Sequence, residues 1–186
     1  MKKILKYYGL PKSGTNVLHY LLQLNFPNYV CDLSEHGIHF LGWKHGLPPN
    51  NLEVLEELLE EEICFIFMRR NIDSWKASVL KTHIGAWEFP YRFQKQNKYF
   101  VYYTPGGLKT FESLDELYWR TWESYYAFCA QYPNKTIVVE FEDFKTEQAE
   151  IVKNIQNKFN LELLFPQPYE VKKQISSTGR ITDKLM

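Results

Sequence analysis

The chain has 186 residues, 45% of them hydrophobic and 24% charged, which suits one domain with a sizeable core. Its 22 Lys and Arg offset 22 Asp and Glu, so no global field recruits nucleic acid or an anionic membrane, and any basic site has to be local. Cys31, Cys64 and Cys129 lack C-x-x-C spacing and indicate neither a zinc site nor a disulfide framework; free thiols in a reducing cytoplasm are the expectation.

In chain order, Met1-Lys2-Lys3 precedes only a brief apolar segment, so no signal peptide is expected. Ile4 to Tyr8 reads as a strand, Gly9 to Asn16 as a Gly-rich turn, and Val17 to Phe26 as an amphipathic helix. A short segment at Tyr29 to Cys31 and a strand at Ile38 to Trp43 follow, ended by Pro48-Pro49-Asn50. Leu52 to Glu62 reads as a helix with Leu52, Leu55, Leu58 and Leu59 on one face; its glutamates form a solvated face, since no His or Asp joins them as a metal ligand.

Ile63 to Met68 is continuously apolar, as a central parallel strand should be, and far too short to span a bilayer. Asn71 or Asp73 caps a helix to about Leu80, and Glu112 to Gln131 forms a long helix stopped near Pro133-Asn134. Thr136 to Phe141 is a strand, Glu147 to Phe159 a helix, and the stretch 167–186 a polar tail that reads as mobile. Strands alternating with helices predict an α/β fold with a mostly parallel sheet.

Two places carry chemistry. The first is Gly9-Leu10-Pro11-Lys12-Ser13-Gly14-Thr15-Asn16, where turn N–H groups and a helix N-terminus converge on one spot suited to phosphate or sulfate. Gly9 and Gly14 have P-loop spacing, but Thr15 stands where the P-loop lysine belongs and the lysine is at Lys12, inside the loop. The second is Arg69-Arg70-Asn71, at the end of the central strand, where open α/β sheets place ligands. Arg70 offers a planar fork to a phosphate, and Ser78, about two helical turns on, can add a hydroxyl.

Pro11-Lys12-Ser13-Gly14-Thr15 closely resembles the PKSGT loop of sulfotransferases that use 3′-phosphoadenosine 5′-phosphosulfate (PAPS). The resemblance implies that Pro11, Lys12, Ser13, Gly14, Thr15 and Asn16 wrap the 5′-phosphosulfate, with Lys12 on the oxygen bridging sulfate to phosphate. Arg70 and Ser78 match the family's pair for the 3′-phosphate, although Ile72 replaces the usual proline. Lys44-His45-Gly46-Leu47-Pro48 is similar to the family's Lys-Thr-His-Leu-Pro segment, which implies His45 as the base for an acceptor hydroxyl. His36, His39 and His83 are the rivals; His83, in Lys81-Thr82-His83, falls after the Arg70–Ser78 segment, out of chain order.

Gly179 and Arg180 echo the family's carboxyl-terminal loop over the 3′-phosphate, with Thr182 where a second glycine belongs. Asn16-Val17 replaces the family's Thr-Trp pair, so its adenine-stacking tryptophan is missing. Glu140-Phe141-Glu142-Asp143 looks like the late strand of the family, and Trp119 and Trp122 look like its Trp-bearing helix.

The resemblance therefore implies a single domain over 1–186, a three-layer sandwich with a mostly parallel central sheet in the P-loop-like sulfotransferase fold. The implied reaction moves a sulfuryl group from PAPS to an acceptor hydroxyl, on a small molecule or carbohydrate, and leaves adenosine 3′,5′-bisphosphate. No metal is required. Residues 84–110, rich in aromatics, read equally as an acceptor lid, a core-packing segment or a subunit interface. Acceptor identity and oligomeric state stay open. Two alternatives stand beside this reading: a small-molecule or nucleoside kinase with an unusual P-loop, and a nucleotide-binding module without turnover.

Overall fold

A computed structural model describes residues 2–30, 41, 44–81, 95–96, 99–104 and 107–171. The predicted strand at 38–43 lies outside them apart from Leu41, as do His36, His39 and His83 and, in the tail, Gly179 and Arg180.

The chain is a mixed α/β fold built on a small parallel sheet. Strands β1 (Lys2–Tyr8), β2 (Glu61–Arg69) and β6 (Thr136–Glu140) lie in the order β1-β2-β6, all parallel. Ile4 pairs with Ile63, Tyr8 with Phe67 and Arg69 with Glu140, and a bridge from Leu5 to Val30 extends the sheet beyond β1. Residues 63–68 are buried without interruption, because β2 is central and covered on both faces.

Strand alternation divides the core in two. Leu5, Tyr7, Cys64, Ile66, Met68 and Val139 meet α1 (Thr15–Asn25) and α5 (Gln148–Phe159) on one face. Tyr8, Ile63, Phe65 and Phe67 meet α2 (Leu52–Leu59), α3 (Ile72–Lys81) and α4 (Leu114–Gln131) on the other. Helix α1 docks through Val17, Leu18, Leu21 and Leu22, a helical-period stripe that is almost wholly buried; each such side chain stabilises by about 1.5–3 kcal/mol.

Two element boundaries differ from the sequence reading for clear causes, and part of the segment 84–110 gains a described structure. Helix α2 stops at Leu59 because Glu60 takes a left-handed conformation (φ 54°), so Glu61 and Glu62 open β2 and pair with Lys2 and Lys3 at 3.2 and 3.7 Å. Helix α4 begins at Leu114, not Glu112: Ser113 Oγ accepts from Glu116 N–H at 3.0 Å, and the Glu116 carboxylate accepts from Glu112 N–H at 2.8 Å. Within 84–110, the described backbone forms an antiparallel ribbon of β3 (Lys95–Gln96), β4 (Tyr99–Thr104) and β5 (Gly107–Phe111). Its end, Phe111, enters the core against α4.

Residues 161–171 run back along the α1/α5 face. Asn25 clamps Tyr169 with both ends of its amide (2.9 and 2.7 Å), and Gln148 does the same for Val171 (3.4 and 2.7 Å). Within the predicted mobile tail, Tyr169 and Val171 thus have backbone hydrogen-bond partners; 172–186 lie outside the described residues. Among the described residues, no helix is long and apolar enough to cross a membrane.

Candidate functional site

The parallel register brings the carboxyl ends of β1, β2 and β6 to one edge, so the loop after Tyr8, the turn after Arg69 and Phe141 are neighbours. The loop 9–14 is a tight, glycine-dependent turn. A side chain at Gly9 would stand 2.8 Å from the Met68 carbonyl, and one at Gly14 would collide with the Phe141 ring, 2.7 Å from its Cε2. Gly14 has φ 101°, and Lys12 also has a positive φ, 70°, which for a residue with a side chain costs about 1–2 kcal/mol. Helix α1 then starts at Thr15 with no side-chain cap and no acidic residue in its first turn. Its first N–H groups thus keep their positive end toward the loop.

Ser13 makes the strongest case for a ligand here. Its hydroxyl is buried, and among the described residues it has no hydrogen-bond partner. A buried unpartnered hydroxyl is costly unless an acceptor arrives. Beside it, burial and the neighbouring Arg70 push the Lys12 ammonium below the ordinary lysine range. Burial likewise draws Arg70 down, with the Glu142 carboxylate acting in the opposite direction. Two partly desolvated cations that repel each other both gain from anionic groups of a ligand.

Arg70 reaches the loop directly. Its Nη1 donates to the Lys12 carbonyl at 2.9 Å, its guanidinium lies 4.6 Å over the Phe141 ring, and its Nε donates to Ser74 Oγ at 3.0 Å. Tyr118 holds the Arg70 carbonyl from α4 at 2.7 Å. The adjacent Arg69 is engaged elsewhere, with Glu140 at 2.8 Å and with the Tyr126 hydroxyl. Of the two predicted caps for α3, Asn71 does the work, accepting from Asp73 and Ser74 N–H at 3.0 and 3.3 Å. Ser74 meets Arg70, and Ser78 is half-buried one turn further along the same helix face.

His45 is also at the loop. It is buried, and its Nδ1 lies 2.6 Å from the Gly9 carbonyl; as that oxygen only accepts, Nδ1 carries the proton and Nε2 the lone pair. Burial pushes its pKa down to about 3; the Gly9 bond works against this and Lys44 adds to it. Gly9 N–H donates to the Lys44 carbonyl at 2.9 Å, and Tyr125 holds the Gly46 carbonyl at 2.9 Å, so the segment 44–46 is laced to β1 and α4. Lys44 itself, to which the sequence assigned no role, donates to the Asn16 side chain in the first turn of α1.

The structure thus gathers Pro11, Lys12, Ser13, Gly14, Thr15, Asn16, His45 and Arg70 around one loop. Sequence reasoning named Lys44 without fixing its role and missed Ser74 and Trp75, whose indole N–H donates to the Pro11 carbonyl at 2.7 Å. Trp75 and Ser74 lie inside the Arg70–Ser78 segment, but only the docking of α3 against the loop reveals their targets. A separate small cavity of about 120 Å³ lies between β6 and α5, lined by Glu140, Asp143, Glu147 and Glu150; its acidic lining does not suit the anion that the loop favours. Among the described residues, no cluster of three or more His, Cys, Asp or Glu side chains could hold a metal. No protein-family model matches this chain, and neither a curated protein nor a solved structure matches it.

Proposed function

We propose that this protein is a PAPS-dependent sulfotransferase of the cytoplasm, transferring a sulfuryl group to an acceptor hydroxyl, and that it folds as a three-layer, P-loop-like sulfotransferase domain. The observation that carries the reading is the convergence of Lys12 and Arg70, 58 positions apart, on a loop with an orphaned buried hydroxyl and an uncapped helix N-terminus. Helices on both faces of a parallel sheet support the fold.

In this reading Ser13 and the first N–H groups of α1 receive the 5′-phosphosulfate, and Lys12 stabilises charge on the leaving phosphate as the S–O bond to it breaks. Arg70 and Ser78 hold the 3′-phosphate, with Ser74 bonded to the Arg70 guanidinium. The acceptor oxygen forms the new S–O bond and its proton passes to His45 Nε2. A conjugate acid of pKa about 3 makes the resting imidazole a weak base, and an anionic donor beside it raises that value. The same low value favours a second reading, a nucleotide-binding module without turnover.

The test is a thermal shift with adenosine 3′,5′-bisphosphate, set beside AMP and ATP with magnesium. Ligand at a hundred times its Kd adds about 2.7 kcal/mol, or roughly 5–10 °C in Tm. The bisphosphate alone should shift wild type, and Arg70→Ala should abolish the shift. A response to ATP and magnesium only would replace this reading with the kinase. A bisphosphate shift without turnover of PAPS on any of a panel of hydroxyl acceptors would favour the silent module.

A further inference from the structure

Resting on the donor-site reading, the geometry points to Trp75 as a positioning residue: its indole N–H fixes the orientation of the Pro11–Lys12 peptide, and with it the face that the loop presents to the donor.

Leu10-Pro11-Lys12-Ser13 is a β-turn closed by Ser13 N–H on the Leu10 carbonyl at 3.0 Å. Proline at its second position and φ 70° at its third mark it as type II. Types I and II differ by a flip of the middle peptide, here the one between Pro11 and Lys12. Its carbonyl points at α3, where Trp75 Nε1–H donates to it at 2.7 Å. In a trans peptide the carbonyl and the following N–H point opposite ways, so this bond aims the Lys12 N–H away from α3.

The residue at the third position works against that orientation. Type II asks for glycine or asparagine at the third position, and Lys12 is neither, whereas type I accepts most residues there. The strained form is held from outside, by Trp75 on the Pro11 carbonyl and Arg70 on the Lys12 carbonyl. Arg70 belongs to the anion site itself. Trp75 is fully buried, packs 5.4 Å from the Tyr118 ring, and reaches the loop through its indole N–H. After a flip, the Lys12 N–H would face the indole N–H, donor against donor, and the Pro11 carbonyl would turn its negative end toward the bound anion.

The experiment is a double-mutant cycle read by calorimetric binding of adenosine 3′,5′-bisphosphate. Trp75→Phe keeps the buried ring and deletes the donor; affinity should fall by about tenfold with cooperative melting retained. In a Lys12→Asn background, where asparagine holds a positive φ by itself, Trp75→Phe should cost less than about twofold. Equal losses in both backgrounds would make Trp75 a packing residue and overturn the proposal. A ligand-free arm uses labelled wild type: a scalar coupling across the hydrogen bond, from Trp75 Nε1 to the Pro11 carbonyl carbon, is expected. Its absence would overturn the proposal even if Trp75→Phe fails to fold. If wild type does not bind the bisphosphate, the donor reading falls, while this coupling still decides whether Trp75 holds the turn.

Discussion

His45 gives the folded chain a pH dependence that can be worked out from its surroundings. The imidazole is buried with a pKa of about 3, against an ordinary value of 6.5. Between those values the unfolded chain holds a proton that the folded chain does not, so lowering the pH favours unfolding; the contribution is complete above 6.5 and is lost as pH falls toward 3. From pH 7.5 to pH 5 the loss is about 1.5 pH units at 1.36 kcal/mol each, or ~2 kcal/mol, which lowers Tm by ~4–8 °C in a domain of this size. His45→Gln removes the titration while keeping a donor for the Gly9 carbonyl. Urea melts of wild type and His45→Gln across this range isolate the effect, since every other titrating group contributes equally to both. Wild type should lose about 2 kcal/mol more than the variant on acidification. Parallel stability curves would refute the argument, because they would mean that His45 charges as readily in the fold as out of it.

Two further outcomes follow from the loop and its surroundings. Gly14→Ala combines a left-handed backbone with a Cβ driven into the Phe141 ring, and should cost about 2–4 kcal/mol in urea unfolding; a loss under half a kcal/mol would mean that the ring moves aside freely. Glu142 places its carboxylate 3.2 Å from Asn71 N–H and 3.2 Å from Ser74 Oγ, beside Arg70, where it opposes an incoming phosphate. Glu142→Gln should therefore tighten adenosine 3′,5′-bisphosphate by about two- to fivefold, a modest gain because the carboxylate is exposed; unchanged or weaker binding in a calorimetric titration would place the phosphate elsewhere.

Much of the fold was legible in local pattern. The unbroken apolar run 63–68 had to be a central strand, since only a strand covered on both faces buries every side chain it carries. The stripe Val17, Leu18, Leu21 and Leu22 had to be a docked helix, and Gly9 and Gly14 mark a loop in which backbone must come close. These are properties of neighbouring residues and are written in neighbouring residues.

What only the tertiary structure decided is where long-range partners land. The positive φ of Lys12 runs against its own preference and persists because Arg70 and Trp75, 58 and 63 positions away, bond the carbonyls on either side of it. The bond between Arg70 and Ser74 depended on how α3 meets the end of β2, and the burial of His45 on the packing of 44–46 between Gly9 and Tyr125. Periodicity reports which face of an element is apolar. It carries no information on which polar group, dozens of residues distant, will complete a hydrogen bond once the faces have packed.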